Sequence, residues 1–302
     1  VYELRQPAVA LQAYIEHYWF VRTTEHQPAD LRVDVFVDAR ADLIFNFGAP
    51  YLRSEIGGAT DVLAVSNLDA QRLVPIRIEQ RGAVRTTGVR FRLGGLAPFA
   101  RVALAPLTGR TVAPELVFGS DTTGLERALE QLDELDAQAA TLDGFFLGAL
   151  ARAPALAGFH RALELAIRTH GGASVADLAA TTGVSTRHVE RLFAQHLGLA
   201  PKPLSRVLRF QRALTALMRA PGESLAAIAA DAGYFDQAHF VREFRRWTGG
   251  VPRGYRGYFP ADAPTDFAPN VVAFVQAAPA VAPVQPAGSG RSRPAPRRKD
   301  PR

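Results

Sequence analysis

At 302 residues the chain is long enough for two ordinary domains, each able to bury its own core. Its 35 Lys/Arg against 29 Asp/Glu give a net charge of +6, and the absence of cysteine excludes a disulfide framework, a Cys-ligated zinc site and any thiol nucleophile or methyl acceptor. No run approaches the roughly 20 apolar residues needed to span a bilayer, and the start Val1-Tyr2-Glu3-Leu4-Arg5 lacks a basic region followed by an apolar core, so a soluble cytoplasmic chain with no membrane partner is expected.

The charge is segregated. Residues 1–150 hold 14 Lys/Arg against 19 Asp/Glu, residues 151–260 hold 15 against 7, and residues 261–302 hold 6 against 3. A basic module beside an acidic one suits a polyanion binder with a separate regulatory half. A bias toward Arg explains 33 Arg beside two Lys, but not their segregation.

The first half reads as strands. Val33-Asp34-Val35-Phe36-Val37, Leu43-Ile44-Phe45-Asn46-Phe47, Val74-Pro75-Ile76-Arg77-Ile78 and Val89-Arg90-Phe91-Arg92-Leu93 are punctuated by Gly, Pro and Asp, which predicts a small barrel or a sheet with helices. Leu125, Leu129, Leu132, Leu135, Ala139, Leu142 and Phe146 recur at three or four, one face of a helix with an interruption expected near Asp136 to Thr141. That stripe suits an internal core, with a dimer seam as the alternative.

Residues 1–150 are therefore read as a sensor or dimerisation domain and 151–158, beginning Ala151-Arg152-Ala153-Pro154, as a linker. Strand-like alternation then gives way to helical periodicity over 159–258, and 259–302, rich in Ala, Pro and Gly with a basic end, is expected to be a disordered tail.

The most informative feature is an internal repeat. Ser174-Val175-Ala176-Asp177-Leu178-Ala179-Ala180-Thr181-Thr182-Gly183-Val184 recurs 50 residues later as Ser224-Leu225-Ala226-Ala227-Ile228-Ala229-Ala230-Asp231-Ala232-Gly233-Tyr234. After one extra residue, Phe235, the copies continue from Ser185 to Phe193 and from Asp236 to Phe244. Each copy has a Ser suited to cap a short helix, a Gly suited to the left-handed turn that ends it, and a second cap, Ser185 or Asp236. Small Ala residues let two helices cross steeply, which is helix-turn-helix geometry.

In the second helices Val189, Leu192 and Phe193, or Phe240 and Phe244, form the inward stripe. Arg187, Glu190 and Arg191, or Gln237, Ala238, Val241 and Arg242, then face outward, where Arg can pair with guanine, Gln with adenine and small apolar groups with the thymine methyl. Ala238 and Val241 have little hydrogen-bonding capacity, so the second unit is expected to add more affinity than specificity. Between the copies Lys202 to Arg219 reads as one amphipathic helix, with Leu204, Val207, Leu208, Leu214 and Leu217 inward. At 1.5 Å per residue it spans about 27 Å, enough with its flanking helices to hold two recognition helices near the 34 Å of successive major-groove faces. Arg209, Arg212 and Arg245 are candidates for phosphate contact.

At these residues the chain resembles the AraC/XylS family. The resemblance runs from Phe159 to Tyr258 and includes Arg209 with Ala213 and Leu217, Ile228-Ala229, the run Gly233-Tyr234-Phe235-Asp236-Gln237-Ala238-His239-Phe240 with Arg242 and Phe244, and Pro252 with Tyr255-Arg256. It implies an α+β protein: a strand-rich N-terminal domain, then an all-α, seven-helix double helix-turn-helix domain. It also implies double-stranded promoter or operator DNA and RNA polymerase as partners. A small-molecule effector and a homodimer are the partners the N-terminal half would serve. The family usually carries Ser or Thr before the prolines that open the connecting and last helices; here Ala200 precedes Pro201 and Val251 precedes Pro252, a cap loss of about 0.5–2 kcal/mol each. The first half resembles N-terminal domains found in front of such modules, through His17-Tyr18-Trp19, Asp42 to Gly48 and Gly88 to Arg92, and that likeness brings no defined ligand.

Other chemistry is sparse. His17 and His26 alone precede residue 150, too few for a His-rich metal site, so no metal, cofactor or catalytic residue is expected. Tyr18, Trp19, Asn46, Arg90 and Arg92 could line a ligand pocket or simply alternate along ordinary strands. His188 and His239 hold equivalent repeat positions with no nucleophile or carboxylate at a suggestive spacing. An enzyme fused to a DNA-binding module is the second reading, although no Gly-x-Ser-x-Gly elbow or Walker phosphate loop is present. A basic helical module that binds an acidic protein is the third.

Overall fold

The structure, a computed structural model, describes residues 2–23, 29–58, 61–220 and 222–256. His26, Gly257, Tyr258 and the expected tail lie outside the described residues. No helix among the described residues is long and apolar enough to cross a membrane.

The N-terminal half is two antiparallel sheets rather than a closed barrel. Strands β1 (Tyr2–Arg5), β2 (Ile15–Arg22), β4 (Asp42–Asn46), β7 (Asn67–Asp69), β9 (Arg85–Phe91) and β10 (Thr111–Val112) form one sheet in the order β1-β2-β9-β4-β7-β10. Strands β3 (Ala29–Val35), β5 (Tyr51–Glu55), β6 (Asp61–Ala64) and β8 (Ile76–Gly82) form the other, in the order β3-β8-β5-β6. Register in the larger sheet sets Leu43 opposite both Val89 and Leu68, so three apolar side chains meet on its buried face.

Helices α1 (Pro114–Phe118), α2 (Asp121–Glu130) and α3 (Leu135–Leu150) cover that face. Between them and the sheet lies a core containing Phe20, Phe45, Phe91, Phe99, Phe118 and Phe146, with Phe99 edge-to-face on Phe146 at 5.0 Å. The break in the helical stripe falls at residues 131–134, not at Asp136 to Thr141 as the spacing suggested. Buried Gln138 explains the shift: its Nε2 donates to the carbonyls of Leu129 at 3.1 Å and Leu132 at 2.6 Å, satisfying groups left open where α2 ends.

The C-terminal half has six α-helices among the described residues: α4 (Ala157–Arg168), α5 (Val175–Thr182), α6 (Thr186–His196), α7 (Pro201–Arg219), α8 (Leu225–Asp231) and α9 (Gln237–Thr248). The seventh element is a short 3-10 helix, Pro252–Tyr255. Both α7 and this last turn begin directly at proline, with no side-chain cap from Ala200 or Val251; the fixed φ of proline suits the first helical position, so the helices start there all the same.

The two halves share a core. Val33, Phe36, Val37, Ala39 and Ala97 pack in one cluster with Phe159, Leu163, Phe193, Phe210 and the rest of the helical half. Phe36 meets Tyr255 edge-to-face at 5.3 Å, Gln211 Nε2 donates to the Val37 carbonyl at 2.5 Å, and Thr108 Oγ1 donates to the Gly198 carbonyl at 2.7 Å. The N-terminal half thus touches the end of the first helical unit, the connecting helix and the turn after the second.

Candidate nucleic-acid interface

Each helical unit is built by local chemistry. Ser174 accepts a hydrogen bond from the Asp177 amide at 3.2 Å, and the Asp177 carboxylate accepts one from the Ser174 amide at 2.8 Å, a complete capping box on α5. The Ser174 hydroxyl, donating to the same carboxylate at 2.8 Å, and then the Ser174 amide hold the Asp177 carboxyl below its usual range. Ser224 caps α8 from the Ala227 amide at 3.0 Å. Gly183 at φ +70° and Gly233 at φ +78° supply the left-handed turns that an L side chain resists. Ser185 then caps α6 from the His188 amide at 3.2 Å, and Asp236 caps α9 from the His239 amide at 2.6 Å.

The inward faces are as dry as a domain core. Val189 and Phe193 on α6, and Phe240 and Phe244 on α9, are fully buried, with Leu192 half-buried. On α7 the buried side chains are Pro201, Leu204, Val207, Phe210, Ala213, Leu214, Leu217 and Met218, with Leu208 half-buried. Phe210 packs against Phe244 at 5.8 Å and Trp247 at 5.0 Å. An ion pair reinforces this junction: Arg206 donates to the buried Glu243 carboxylate at 2.8 and 2.5 Å. Burial, then the Glu243 carboxylate, pushes the Tyr234 phenol well above its usual range.

Outward, α6 presents Arg187, Glu190 and Arg191, all exposed. Arg191 Nη2 lies 3.0 Å from His188 Nδ1, which restrains the guanidinium along the helix face. Helix α9 presents exposed Gln237, Ala238 and Arg242, with Val241 half-buried one turn on. Arg212 and Arg245 are exposed, whereas Arg209 is half-buried with its guanidinium 5.8 Å over the Tyr234 ring. Sequence reasoning assigned no role to Arg246, also exposed on α9, nor to Phe235, which is 93% exposed. The signal for Phe235 was present in the change of repeat offset at that residue.

Connecting helix α7 holds nineteen residues, about 28 Å of axis, and both units pack on it. A cavity of about 330 Å³ between the start of α5 and α9 is lined by Lys202, Arg206, Arg209, His239 and Glu243, three cations against one carboxylate.

Of the residues considered for a pocket in the N-terminal half, Trp19 and Arg90 meet at the Asp42 carboxylate. Arg90 is buried and ion-paired with both Asp38 and Asp42. Tyr18 is buried with its hydroxyl donating to Asp143 at 2.8 Å. Asn46 Nδ2 donates to the Ala49 carbonyl at 2.9 Å, and Arg92 Nε to the Gln12 carbonyl at 2.6 Å. These partners give each side chain a structural task. Arg53 and Arg72, which pattern analysis passed over, are buried around Asp69 at 2.9 and 2.5 Å.

Comparison with known proteins follows the same division. Residues 178–258 match the family described as a helix-turn-helix domain, and residues 3–113 match a domain of unknown function, DUF6597. A transcriptional regulator with an AraC-type DNA-binding domain from Chromobacterium violaceum is 31% identical, over 33% of this chain and 88% of that one, with a TM-score of 0.31. The uncharacterized HTH-type transcriptional regulator YidL of Escherichia coli (strain K12) is 35% identical over 79 residues, so the match spans 26% of that relative's length. ToxT from Vibrio cholerae is similar over 76% of this chain and 97% of that one, at 9% identity and a TM-score of 0.42, too distant a likeness to inform this chain's ligand.

Proposed function

Because the chain belongs to the AraC family of transcriptional regulators, we propose that it binds DNA sequence-specifically, reading two adjacent major-groove segments with α6 and α9. The observation that carries this reading is a pair of equivalently capped helices on one connecting helix, each turning exposed Arg or Gln away from a fully buried inner face. Arg187, Glu190 and Arg191 face bases at one segment, and Gln237, Ala238, Val241 and Arg242 at the other. Arg212 and Arg245 contact phosphate, and Arg209 does so from its perch on Tyr234. One chain suffices for the double reading, and a homodimer would add a second pair of segments.

Residues 1–150 serve as the regulatory half and 159–258 as the DNA-binding half, joined through 151–158, with no catalysis of their own. The shared core supports control through docking: an effector or partner that shifts the N-terminal half also shifts the units it touches at Gly198, Gln211 and Tyr255. By family membership the output is exerted on RNA polymerase at a promoter.

The test is selection of a random duplex library by the purified chain at physiological salt, followed by sequencing. Two enriched blocks about one helical turn apart are expected. Binding without sequence preference that disappears at physiological salt, as a purely phosphate-driven interaction does, would refute the reading.

A further inference from the structure

We propose that Phe235 is a specificity-determining residue of the second helix-turn-helix unit, packing its ring against the C5 methyl group of a thymine in the major groove. The inference rests on the DNA-reading function proposed above. Phe235 is 93% exposed, the most exposed large hydrophobic side chain among the described residues. A ring left in water forgoes the stabilisation that burial supplies, so folding does not account for its position.

Comparison of the two units isolates it further. The first passes from Gly183 to its capping Ser185 through Val184 alone; the second passes from Gly233 to its capping Asp236 through Tyr234 and Phe235. Val184 and Tyr234 both pack on the helical core and so take the same inward place. Phe235 is the additional residue, and it points to solvent.

Its location is the end of a recognition helix that meets base edges. Asp236, whose carboxylate accepts from the His239 amide at 2.6 Å, is the N-cap of α9, and Phe235 immediately precedes it. Phe235 leads into a helix that carries exposed Ala238 and half-buried Val241 one turn apart, among exposed Gln237, Arg242, Arg245 and Arg246. Arginines of that kind hold phosphates or guanine, whereas the apolar group a base pair offers in the major groove is the thymine methyl. The poor hydrogen-bonding capacity of Ala238 and Val241, which suggested more affinity than specificity, becomes with Phe235 a means of choosing T·A pairs.

The experiment selects a random duplex library in parallel with the full chain and with Phe235→Ala at physiological salt. Thymines of the enriched duplex are then replaced singly by deoxyuridine, which keeps the pairing and removes the methyl. Phe235→Ala is expected to retain the block read by α6 and to lose a thymine preference in the block read by α9. One deoxyuridine should weaken the parent chain about four-fold, as expected for one buried methyl, and leave Phe235→Ala unaffected. On the all-thymine duplex the variant should bind roughly ten-fold more weakly, with random-DNA affinity and thermal midpoint unchanged. An unaltered motif from Phe235→Ala, tolerance of every deoxyuridine, or an equal loss on random DNA would each overturn the inference while the DNA-reading function stands. Reduced promoter output with unchanged DNA affinity would also overturn it, by placing the ring against a protein. A parent chain that enriches no motif would overturn the DNA-reading function itself, and this inference with it.

Discussion

Gly198 offers a direct measure of how tightly the N-terminal half is held to the first helical unit. It sits at φ +80° in the turn between α6 and α7, and a Cβ there would fall 1.7 Å from Gln71 Nε2 and 2.9 Å from the Leu104 carbonyl oxygen. The Gln71 side chain cannot swing into solvent, because it is 2% exposed and donates to the Leu104 carbonyl at 3.2 Å and Thr108 Oγ1 at 3.1 Å. Gly198→Ala therefore incurs left-handed strain of about 1–2 kcal/mol and breaks a buried polar contact worth about 1–3 kcal/mol when left unsatisfied. The total is about 2–5 kcal/mol, directed at the docking surface. Gly183→Ala is the control: its φ is +70°, but nothing lies within 4 Å of the added carbon, so it should cost only the strain, about 1–2 kcal/mol. Calorimetry of the full chain should show one transition for the parent and for Gly183→Ala, and two for Gly198→Ala as the halves melt apart. A single transition for Gly198→Ala, lowered no more than in the control, would refute the docking argument.

Arg242→Ala should cost about 1–3 kcal/mol on the selected duplex and relax preference at one base pair; an equal loss on random DNA in a titration would make Arg242 a phosphate contact. Arg212→Ala should weaken specific and random duplexes alike and reduce the salt slope of log K by about 1, read from binding isotherms at several salt concentrations. Ser174→Ala removes the capping box of α5 and should lower stability by about 0.5–2 kcal/mol in a denaturant melt, with the second unit unaffected. His17 is buried, and burial first, then the Arg90, Arg40 and Arg92 charges, pull its pKa from 6.5 to about 4 against the opposing pull of Glu16. A folded pKa below the unfolded one means stability is complete above pH 6.5 and is lost as pH falls toward 4, by up to about 3 kcal/mol; His17→Asn should flatten that part of a pH–stability curve.

The helical half was legible because its determinants are local. Ser174, Gly183, Ser185, Ser224, Gly233 and Asp236 act on backbone groups within a few residues, so a repeat in sequence becomes a repeat in structure. The sheets were legible where short apolar or alternating runs are bounded by Gly, Pro or Asp. Strand β5 escaped notice because Arg53 stands buried in it, held by Asp69 at 2.9 Å, and no period of apolar residues announces a buried arginine. Strand β2 escaped because Tyr18-Trp19-Phe20-Val21 is a continuous apolar run, which strand and helix can share. Phe36 and Val37 were read as the end of a strand, yet β3 stops at Val35 and the next two residues enter the shared core. Val37 meets Gln211 across 174 positions, a pairing that no local pattern encodes.

That shared core narrows how the N-terminal half could govern DNA binding. Occlusion would require it to cover the outward faces of α6 and α9, yet Arg187, Glu190, Arg191, Gln237, Ala238 and Arg242 remain exposed while the halves are docked. The docked contacts include Gly198, where α6 passes into α7, Gln211 within α7, and Tyr255 beyond α9. These contacts lie where a shift would move α6 relative to α9. Two helices must match groove faces about one turn apart, and a helix displaced by about 1 Å loses bidentate geometry that holds only over a few tenths of an ångström. Control exerted through these contacts therefore acts on the spacing and tilt of the units. It should change affinity for a two-block duplex far more than affinity for either block alone, a contrast that titrating the parent and Gly198→Ala with one-block and two-block duplexes would measure.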